Sequence, residues 1–218
     1  MKYKAVLFDM DDTLIKTWEI KWAHHTFVAK HYYNIDLTHE KLGEHWGRPF
    51  PLLVEALYGK PEPVEKMIER FVAHEPEFLK PAHDSATAAL SLLQDNGLVI
   101  GVVTAMISSV AEDDLRREFP SIPFALIQGA DHTLVHKPDP LVFEPALNRL
   151  EQLGIRKNQV LYVGDALSDF YAAQGAGLDF IAVATGLVDK ASFKKVGVGT
   201  IIDSLSELAK FVLPKGKL

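Results

Sequence analysis

Short apolar runs, each long enough for one buried strand, recur along this 218-residue chain with helix-length segments between most of them. Continuous runs of this length are typical of strands buried on both faces of a parallel sheet. Strands that alternate with helices predict an α/β protein in which helices cover both faces of one parallel sheet. The predicted strands are Tyr3–Phe8, Leu98–Val103, Phe124–Ile127, Val160–Val163, Phe180–Ala184 and a short last one at Thr200–Ile202.

A long segment without strand-like runs interrupts this alternation between the first and second strands. It is too long for a single crossover connection, so we expect an inserted helical cap at residues 16–81. Residues 1–15 and 82–218 then form the α/β core. The helices predicted for the cap are Glu19–His31, Thr38–Trp46, Pro51–Tyr58 and Pro63–Lys80.

Composition excludes several classes of function. The net charge of −6 and the pI of about 5.8 argue against a binder of duplex nucleic acid, which needs a basic face. The chain has no cysteine, which rules out disulfides, thiolate catalysis and cysteine-ligated zinc. No apolar stretch approaches the length of a membrane-spanning helix. We therefore expect a cytoplasmic protein.

Acidic residues follow the first strand directly, in the sequence Asp9-Met10-Asp11-Asp12-Thr13-Leu14. In an open α/β sheet, ligands bind outside the carboxyl ends of the strands. Asp9 is a candidate nucleophile that attacks phosphorus and forms an acyl phosphate, and we expect it to be ionised at neutral pH without help. Asp11 would protonate the leaving oxygen and then deprotonate the attacking water. The alternatives are a turn-capping role for Asp9 and a solvated turn residue at Asp11.

Two further groups follow later strands. Thr104 can donate its hydroxyl to a phosphate oxygen, and the backbone N–H of Ala105 adds a second donor, although threonine is also simply a good strand former. Lys137 lies in a loop that Pro138 and Pro140 stiffen. Its ammonium can neutralise both the nucleophile and the transferring phosphoryl group, whereas the alternative is an ordinary exposed lysine.

Asp165 and Asp169 follow the fourth strand, in Gly-Asp-Ala-Leu-Ser-Asp. Carboxylate oxygens together with phosphate suit Mg²⁺, so this pair predicts a magnesium site. Asp169 equally suits the first turn of the next helix, with Ser168 as its N-cap. The nine histidines invite a zinc hypothesis, but no His-Glu-x-x-His pattern occurs.

This ordered set resembles the haloacid dehalogenase (HAD) superfamily. Asp9–Leu14 is similar to its first motif, Thr104 to the second, Lys137 to the third, and Gly164 through Asp169 to the fourth. The resemblance implies a Rossmann-like three-layer core with strand order 5-4-1-2-3 and a helical cap after the first strand. It also implies that Mg²⁺ is held by the Asp9 carboxylate, the Asp11 backbone carbonyl and Asp165, which completes the protein ligands. The residues themselves make Asp169 a further candidate ligand. Thr13 of the first motif is a candidate substrate-binding residue.

The carboxylate at Asp11 places the resemblance in the phosphatase branch, because dehalogenase and phosphonate-cleaving members lack it. The short cap and the run Gly164–Gly177 look most like phosphoglycolate-phosphatase-type enzymes. Asp12 departs mildly from the family, in which glycine is frequent at this position.

The leading hypothesis is therefore a Mg²⁺-dependent phosphatase for a small phosphorylated metabolite, acting through an aspartyl-phosphate. Two alternatives stay open: a sugar-phosphate mutase of the β-phosphoglucomutase type, and a non-catalytic binding domain of the same fold. Substrate choice should reside in the cap, where Arg48 is the best candidate for an anionic substrate group and His24 and Trp18 are weaker ones. A monomer and a homodimer fit the sequence equally well.

Overall fold

The structure is a computed structural model that describes residues 1–46 and 50–214 of the chain. The Cα positions divide it into two compact units. The first, named the α/β unit, comprises Met1–Lys16 and the described residues from Pro81 onward. The second, named the helical unit, comprises the described residues of Thr17–Lys80.

Six parallel strands form one sheet in the α/β unit, in the order β3-β2-β1-β4-β5-β6. The predicted order 5-4-1-2-3 is confirmed, and the sixth strand extends the sheet beyond β5. β1 lies at the centre, where Phe8 pairs with Val102 of β2 and with Val163 of β4. The strands are β1 Ala5–Phe8, β2 Val99–Val103, β3 Leu126–Gln128, β4 Val160–Gly164, β5 Asp179–Val183 and β6 Ile201–Ile202.

Helices cover both faces of this sheet, because successive strand residues point to opposite faces. In β4, Leu161 and Val163 join one buried apolar cluster, whereas Val160 and Tyr162 join the other. The α-helices are α5 Ala86–Asp95, α6 Ser108–Glu118, α7 Glu144–Gln152, α8 Leu167–Ala176, α9 Lys190–Lys195 and α10 Ala209–Val212. Short 3₁₀ helices lie at Ala130–His132, Pro140–Phe143, Lys157–Gln159 and Leu205–Glu207.

The helix starts of the α/β unit are capped in different ways. The N-cap of α5 is Ser85, and the neighbouring Asp84 carboxylate pairs with Lys16 Nζ at 2.6 Å. Ser168 is not the N-cap of α8, since that position falls on Ala166. Asp139 is the N-cap of the 3₁₀ helix Pro140–Phe143, and its carboxylate accepts a hydrogen bond from Leu141 N at 2.9 Å.

The helical unit contains α1 Trp18–Tyr33, α2 His39–His45, α3 Phe50–Tyr58, α4 Val64–Ala73 and a 3₁₀ turn at Glu75–Glu77. Its own apolar core includes Val28, Leu42, Leu57 and Phe71. His24, a weaker substrate candidate, lies fully buried, with its ring stacked on Phe71. No helix in residues 1–46 and 50–214 is long and apolar enough to cross a membrane.

Candidate active site

The loop after β1 is folded tightly over the end of its own strand. Met10 O accepts hydrogen bonds from Leu14 N and Ile15 N, and Asp12 N donates to Ile15 O at 2.7 Å. Asp12 adopts a φ of 56°, a left-handed conformation that few non-glycine residues tolerate. This conformation explains why glycine suits the position. Thr185, after β5, fixes the turn by donating its hydroxyl to Asp12 O at 2.6 Å.

Asp9 stands where β1 ends, and Lys137 reaches it from the loop after β3. The ammonium of Lys137 donates to Asp9 Oδ1 at 2.5 Å and to Asp169 Oδ1 at 2.7 Å. The side chain of Lys137 is only 9% exposed, so it is not the ordinary exposed lysine of the alternative interpretation. The pair joins residues 128 positions apart in the chain.

Asp165 follows β4, directly beside Asp9. Its Oδ1 accepts a hydrogen bond from the buried Thr13 hydroxyl at 3.0 Å. The carboxylates of Asp9, Asp165 and Asp169 each offer one oxygen within 4.8 Å of the other two, and all three residues are buried. We name Asp9, Asp165 and Asp169 the acidic trio. Hard oxygen donors at this spacing fit a divalent cation such as Mg²⁺.

The loop after β5 approaches the acidic trio so closely that only glycine fits. A Cβ on Gly186 would lie 1.8 Å from Asp165 Oδ2. A second glycine, Gly164 at the end of β4, is similarly restricted, since its Cβ would lie 2.6 Å from Asp169 Cγ. Backbone and carboxylates are therefore packed together without room for a side chain.

Burial is the largest influence on the ionisation of Asp9 and Asp165. Burial raises the pKa of Asp9 to about 8; Lys137 opposes this rise, while the charges of Asp169 and Asp11 add to it. Burial, followed by repulsion from Asp9 and Asp169, holds the pKa of Asp165 well above its usual range. The prediction that Asp9 ionises at neutral pH without help is wrong for the metal-free site, because it assumed a solvated carboxylate. A bound cation would relieve this accumulation of negative charge, so the residues fit a metal.

Lys137 remains charged despite its burial. Burial alone would lower the pKa of this lysine, but the carboxylates of Asp169 and Asp9 outweigh that effect and hold the pKa well above its ordinary value. The ammonium is thus a permanent cation between two carboxylates, as a phosphoryl-transfer site requires.

The other predicted residues have different surroundings. Thr104 is buried at the end of β2, and its hydroxyl accepts a hydrogen bond from Met106 N at 3.1 Å. Ala105 is exposed beside it. Asp11 is half-buried, and its charge acts on Asp9. Arg48 lies outside the described residues.

The Asp169 carboxylate contacts two parts of the site. Its Oδ2 accepts a hydrogen bond from Ala166 N at 3.0 Å, which stabilises the start of α8. Its Oδ1 meanwhile faces Lys137. The same carboxylate also belongs to the acidic trio.

Sequence reasoning missed Tyr162. This residue is fully buried in β4, and its hydroxyl lies 3.0 Å from Lys137 Nζ and 3.0 Å from Asp169 Oδ1. The available signal was a single hydroxyl in the otherwise apolar strand Val-Leu-Tyr-Val-Gly. Buried tyrosines usually find a hydrogen-bond partner, and this one lies two residues before Gly164.

The fold and the acidic trio together define a doubly wound α/β protein with its site at the carboxyl edge of the central strands. The chain belongs to the haloacid dehalogenase-like hydrolase family, whose sequence model matches residues 6–183. It is a hydrolase of the phosphatase branch, as the first motif indicated.

Relatives match over most of the chain. A pyrophosphatase PpaX of Bacillus pumilus is 28% identical over 95% of both chains. An N-acetylmuramic acid 6-phosphate phosphatase of Pseudomonas aeruginosa is 29% identical over 86% of this chain and 84% of its own.

A solved structure from Geobacter sulfurreducens, described as a HAD-superfamily hydrolase of subfamily IA, superposes with a TM-score of 0.74 at 22% identity and 97% coverage of both chains. A predicted phosphoglycolate phosphatase from Haemophilus somnus superposes with a TM-score of 0.80 at 19% identity, covering 97% of this chain and 98% of that one. At these identities the superpositions show a shared fold.

Proposed function

We propose that this hydrolase is a Mg²⁺-dependent phosphomonoesterase that forms a phosphoryl group on Asp9 as its intermediate. The observation that carries the proposal is the buried contact of Lys137 with Asp9, which is itself a member of the acidic trio. A nucleophilic carboxylate, a fixed ammonium and carboxylates suited to a hard cation are what displacement at phosphorus requires. Both Asp9 and Asp165 lie at the carboxyl ends of neighbouring strands, where α/β folds bind ligands.

The proposal divides the reaction into two chemical steps, which it assigns to Asp9 and Asp11. An oxygen of Asp9 attacks phosphorus while the bond to the leaving oxygen breaks, and Asp11 supplies the proton that this oxygen needs. Asp11 then removes a proton from water, which attacks the same phosphorus and releases inorganic phosphate from Asp9. Lys137 neutralises charge on both Asp9 and the phosphoryl oxygens throughout.

Asp9, Asp165 and Asp169 supply the side chains that would hold Mg²⁺, and the family resemblance adds the backbone carbonyl of Asp11. When bound, the ion polarises the phosphoryl group and favours the ionised form of the neighbouring carboxylates. These residues fit a divalent cation because all three carboxylates are buried. Among the described residues, only the ammonium of Lys137 offsets their negative charge.

The proposal is tested with an aryl phosphate, with and without EDTA. The wild-type enzyme should release phosphate only with Mg²⁺ present, and Asp9→Asn should be inactive while still folded. The matched control is Asp95→Asn, since Asp95 is exposed at the end of α5. Addition of Mg²⁺ should also raise the melting temperature of the wild type, a readout that does not depend on turnover. Turnover by Asp9→Asn at the wild-type rate would contradict the mechanism.

We propose a small phosphorylated metabolite as the substrate. Relatives named as pyrophosphatase and as N-acetylmuramic acid 6-phosphate phosphatase support this class of substrate. A panel containing pyrophosphate, N-acetylmuramic acid 6-phosphate, phosphoglycolate and sugar phosphates, ranked by kcat/KM, identifies the preferred one. A coupled isomer assay on the same panel tests the mutase alternative, which requires isomerised sugar rather than steady phosphate release. Binding without turnover of the whole panel would favour the non-catalytic alternative.

The cap role of the helical unit also remains a proposal. If Arg48 binds an anionic substrate group, Arg48→Ala should raise KM for the best substrate more than it lowers kcat. An unchanged KM would remove Arg48 from the site.

Two further predictions concern the whole protein. We expect it to be located in the cytoplasm. It is either a monomer or a homodimer, and sedimentation measurements distinguish these two states.

A further inference from the structure

Tyr162 is held rigidly at the point where the site's polar groups meet the core. Its side chain is fully buried, and its ring packs edge-on against Phe143 with centroids 4.7 Å apart. The hydroxyl is the only polar group of this side chain, and it contacts the polar groups of the site. That hydroxyl lies 3.0 Å from Lys137 Nζ, 3.0 Å from Asp169 Oδ1 and 3.3 Å from Val103 O.

The hydrogen bonds can be assigned from the number of protons available. An ammonium has three N–H donors and no acceptor. Lys137 gives two of them to Asp9 Oδ1 and Asp169 Oδ1. The third has two acceptors within reach: the hydroxyl oxygen of Tyr162 at 3.0 Å and Val103 O at 3.5 Å. The shorter contact favours Tyr162, whose own proton then goes to Asp169 or Val103.

This third contact decides where the ammonium can sit. Lysine has a flexible stem of four carbons, and two carboxylates alone leave its terminal nitrogen free to rotate or to shift toward either one. Tyr162 belongs to the central strand β4, so the position of its hydroxyl oxygen next to Lys137 Nζ is fixed. Lys137, by contrast, comes from a loop between 3₁₀ helices.

We propose that Tyr162 is a positioning residue, whose hydroxyl holds the Lys137 ammonium between Asp9 and Asp169. The inference rests on the proposed function for its catalytic consequence. Tyr162 does not touch the phosphoryl group; it acts through Lys137. The expected effect therefore falls on the rate of the chemical step and not on the affinity for substrate.

Tyr162→Phe removes the hydroxyl and leaves the shape of the core. Losing a hydrogen bond to a charged group should lower kcat by roughly 10- to 100-fold, whereas KM should stay nearly unchanged. The matched control is Tyr58→Phe, since Tyr58 is equally buried and its hydroxyl binds His25 Nδ1 at 2.8 Å in the helical unit. Tyr58→Phe should retain the wild-type kcat.

A double-mutant cycle tests whether the effect passes through Lys137. In a Lys137→Arg background the planar guanidinium cannot take the position of the ammonium. Adding Tyr162→Phe there should change kcat by less than about threefold, because the interaction is already lost. A full multiplicative loss would overturn the proposal, since it would mean that Tyr162 acts independently of Lys137.

A second readout does not depend on turnover. In protein labelled with ¹⁵N at the lysine Nζ, Lys137 should give a slowly exchanging ammonium signal that is absent in Lys137→Arg. Exchange should accelerate in Tyr162→Phe and not in Tyr58→Phe. Unchanged exchange together with a kcat within about threefold of wild type would overturn the proposal. If the wild type turned over no phosphate ester yet exchange still depended on Tyr162, the proposed function would fail and the positioning role would stand.

Discussion

Acid should destabilise the helical unit, because two histidines are buried there in the neutral form. The His24 ring lies between Phe71 and Phe78, with centroid distances of 3.6 and 4.4 Å. Its Nε2 donates to Phe71 O at 3.0 Å, and its buried Nδ1 has no hydrogen-bond partner among the described residues. Protonation would place a cation in this apolar setting, where the nearby charge of Glu75 offsets only part of the cost of burial.

The neighbouring His25 is equally restricted. It is 1% exposed, and its Nδ1 meets the Tyr58 hydroxyl at 2.8 Å. Burial, with a contribution from the charge of Lys21, lowers the pKa of His24 to about 4 and that of His25 to about 3, from an ordinary value of 6.5.

The sign follows from proton binding. Between the folded and unfolded pKa values, the unfolded chain binds protons that the folded chain does not, so stability falls as pH falls below about 6.5. At about 1.36 kcal/mol per pKa unit, lowering the pH from about 7 to about 5 removes roughly 2 kcal/mol for each histidine. The combined loss of about 4 kcal/mol is a large part of the stability of a small domain.

The chain provides its own probe for this measurement. All three of its tryptophans, Trp18, Trp22 and Trp46, lie within the helical unit, so tryptophan fluorescence reports on that unit. Urea titrations at pH 7.0, 6.0 and 5.0 yield the free energy of unfolding at each pH. His24→Gln and His25→Asn keep a polar atom near the lost nitrogen, and each should remove about half of the pH dependence.

The control is His31→Asn, an exposed histidine on the same helix α1, which should retain the wild-type pH dependence. Because the comparison is between variants, the titration of Asp9 and other groups in the α/β unit cancels. The reasoning is refuted if the double variant His24→Gln/His25→Asn loses as much stability between pH 7 and pH 5 as the wild type does.

Three further predictions concern the α/β unit. Gly186→Ala forces a Cβ onto Asp165 and should abolish both activity and the Mg²⁺-induced rise in melting temperature, whereas Gly199→Ala, with open space around it, should change neither. Asp12→Gly should exceed Asp12→Ala in free energy of unfolding by about 1 kcal/mol in urea titrations, because the left-handed φ of 56° penalises a Cβ. Asp165→Asn removes repulsion from the acidic trio, so in EDTA its melting temperature should exceed the wild-type value, while Mg²⁺ should no longer raise it. A Mg²⁺-dependent rise that persists in Asp165→Asn would remove Asp165 from the metal site.

The order of elements could be predicted because each strand carries its own apolar run, but hydrophobicity reports burial and not pairing. The third strand shows the difference. Phe124 and Ile127 pack against the core, so the sequence placed the strand at residues 124–127. Pairing with β2 instead begins at Leu126, opposite Gly101, and ends at Gln128. The side chain of Gln128 is buried and forms hydrogen bonds with the backbone of Val142 and Ala146. The local sequence around Gln128 gives no sign of these distant partners.

The candidate site could be located from the ends of the strands, but its electrostatics could not. The pKa of Asp9 depends on burial and on Lys137, Asp169 and Asp11 together. Two of those residues lie more than a hundred positions away along the chain. Similarly, His24 is polar in sequence and was a substrate candidate, yet stacking between two phenylalanines places it in the core.

Asp169 connects these electrostatic observations. A carboxylate has about four lone-pair positions, and three donors already approach this one: Lys137 Nζ, the Tyr162 hydroxyl and Ala166 N. At most one position is left for a cation, so its main role is to keep the ammonium beside Asp9. With the acidic trio ionised and Lys137 protonated, two negative charges remain uncompensated, which matches one divalent ion. Since the pKa of Asp9 is about 8 in the metal-free site, ionisation of the nucleophile and binding of the cation favour each other.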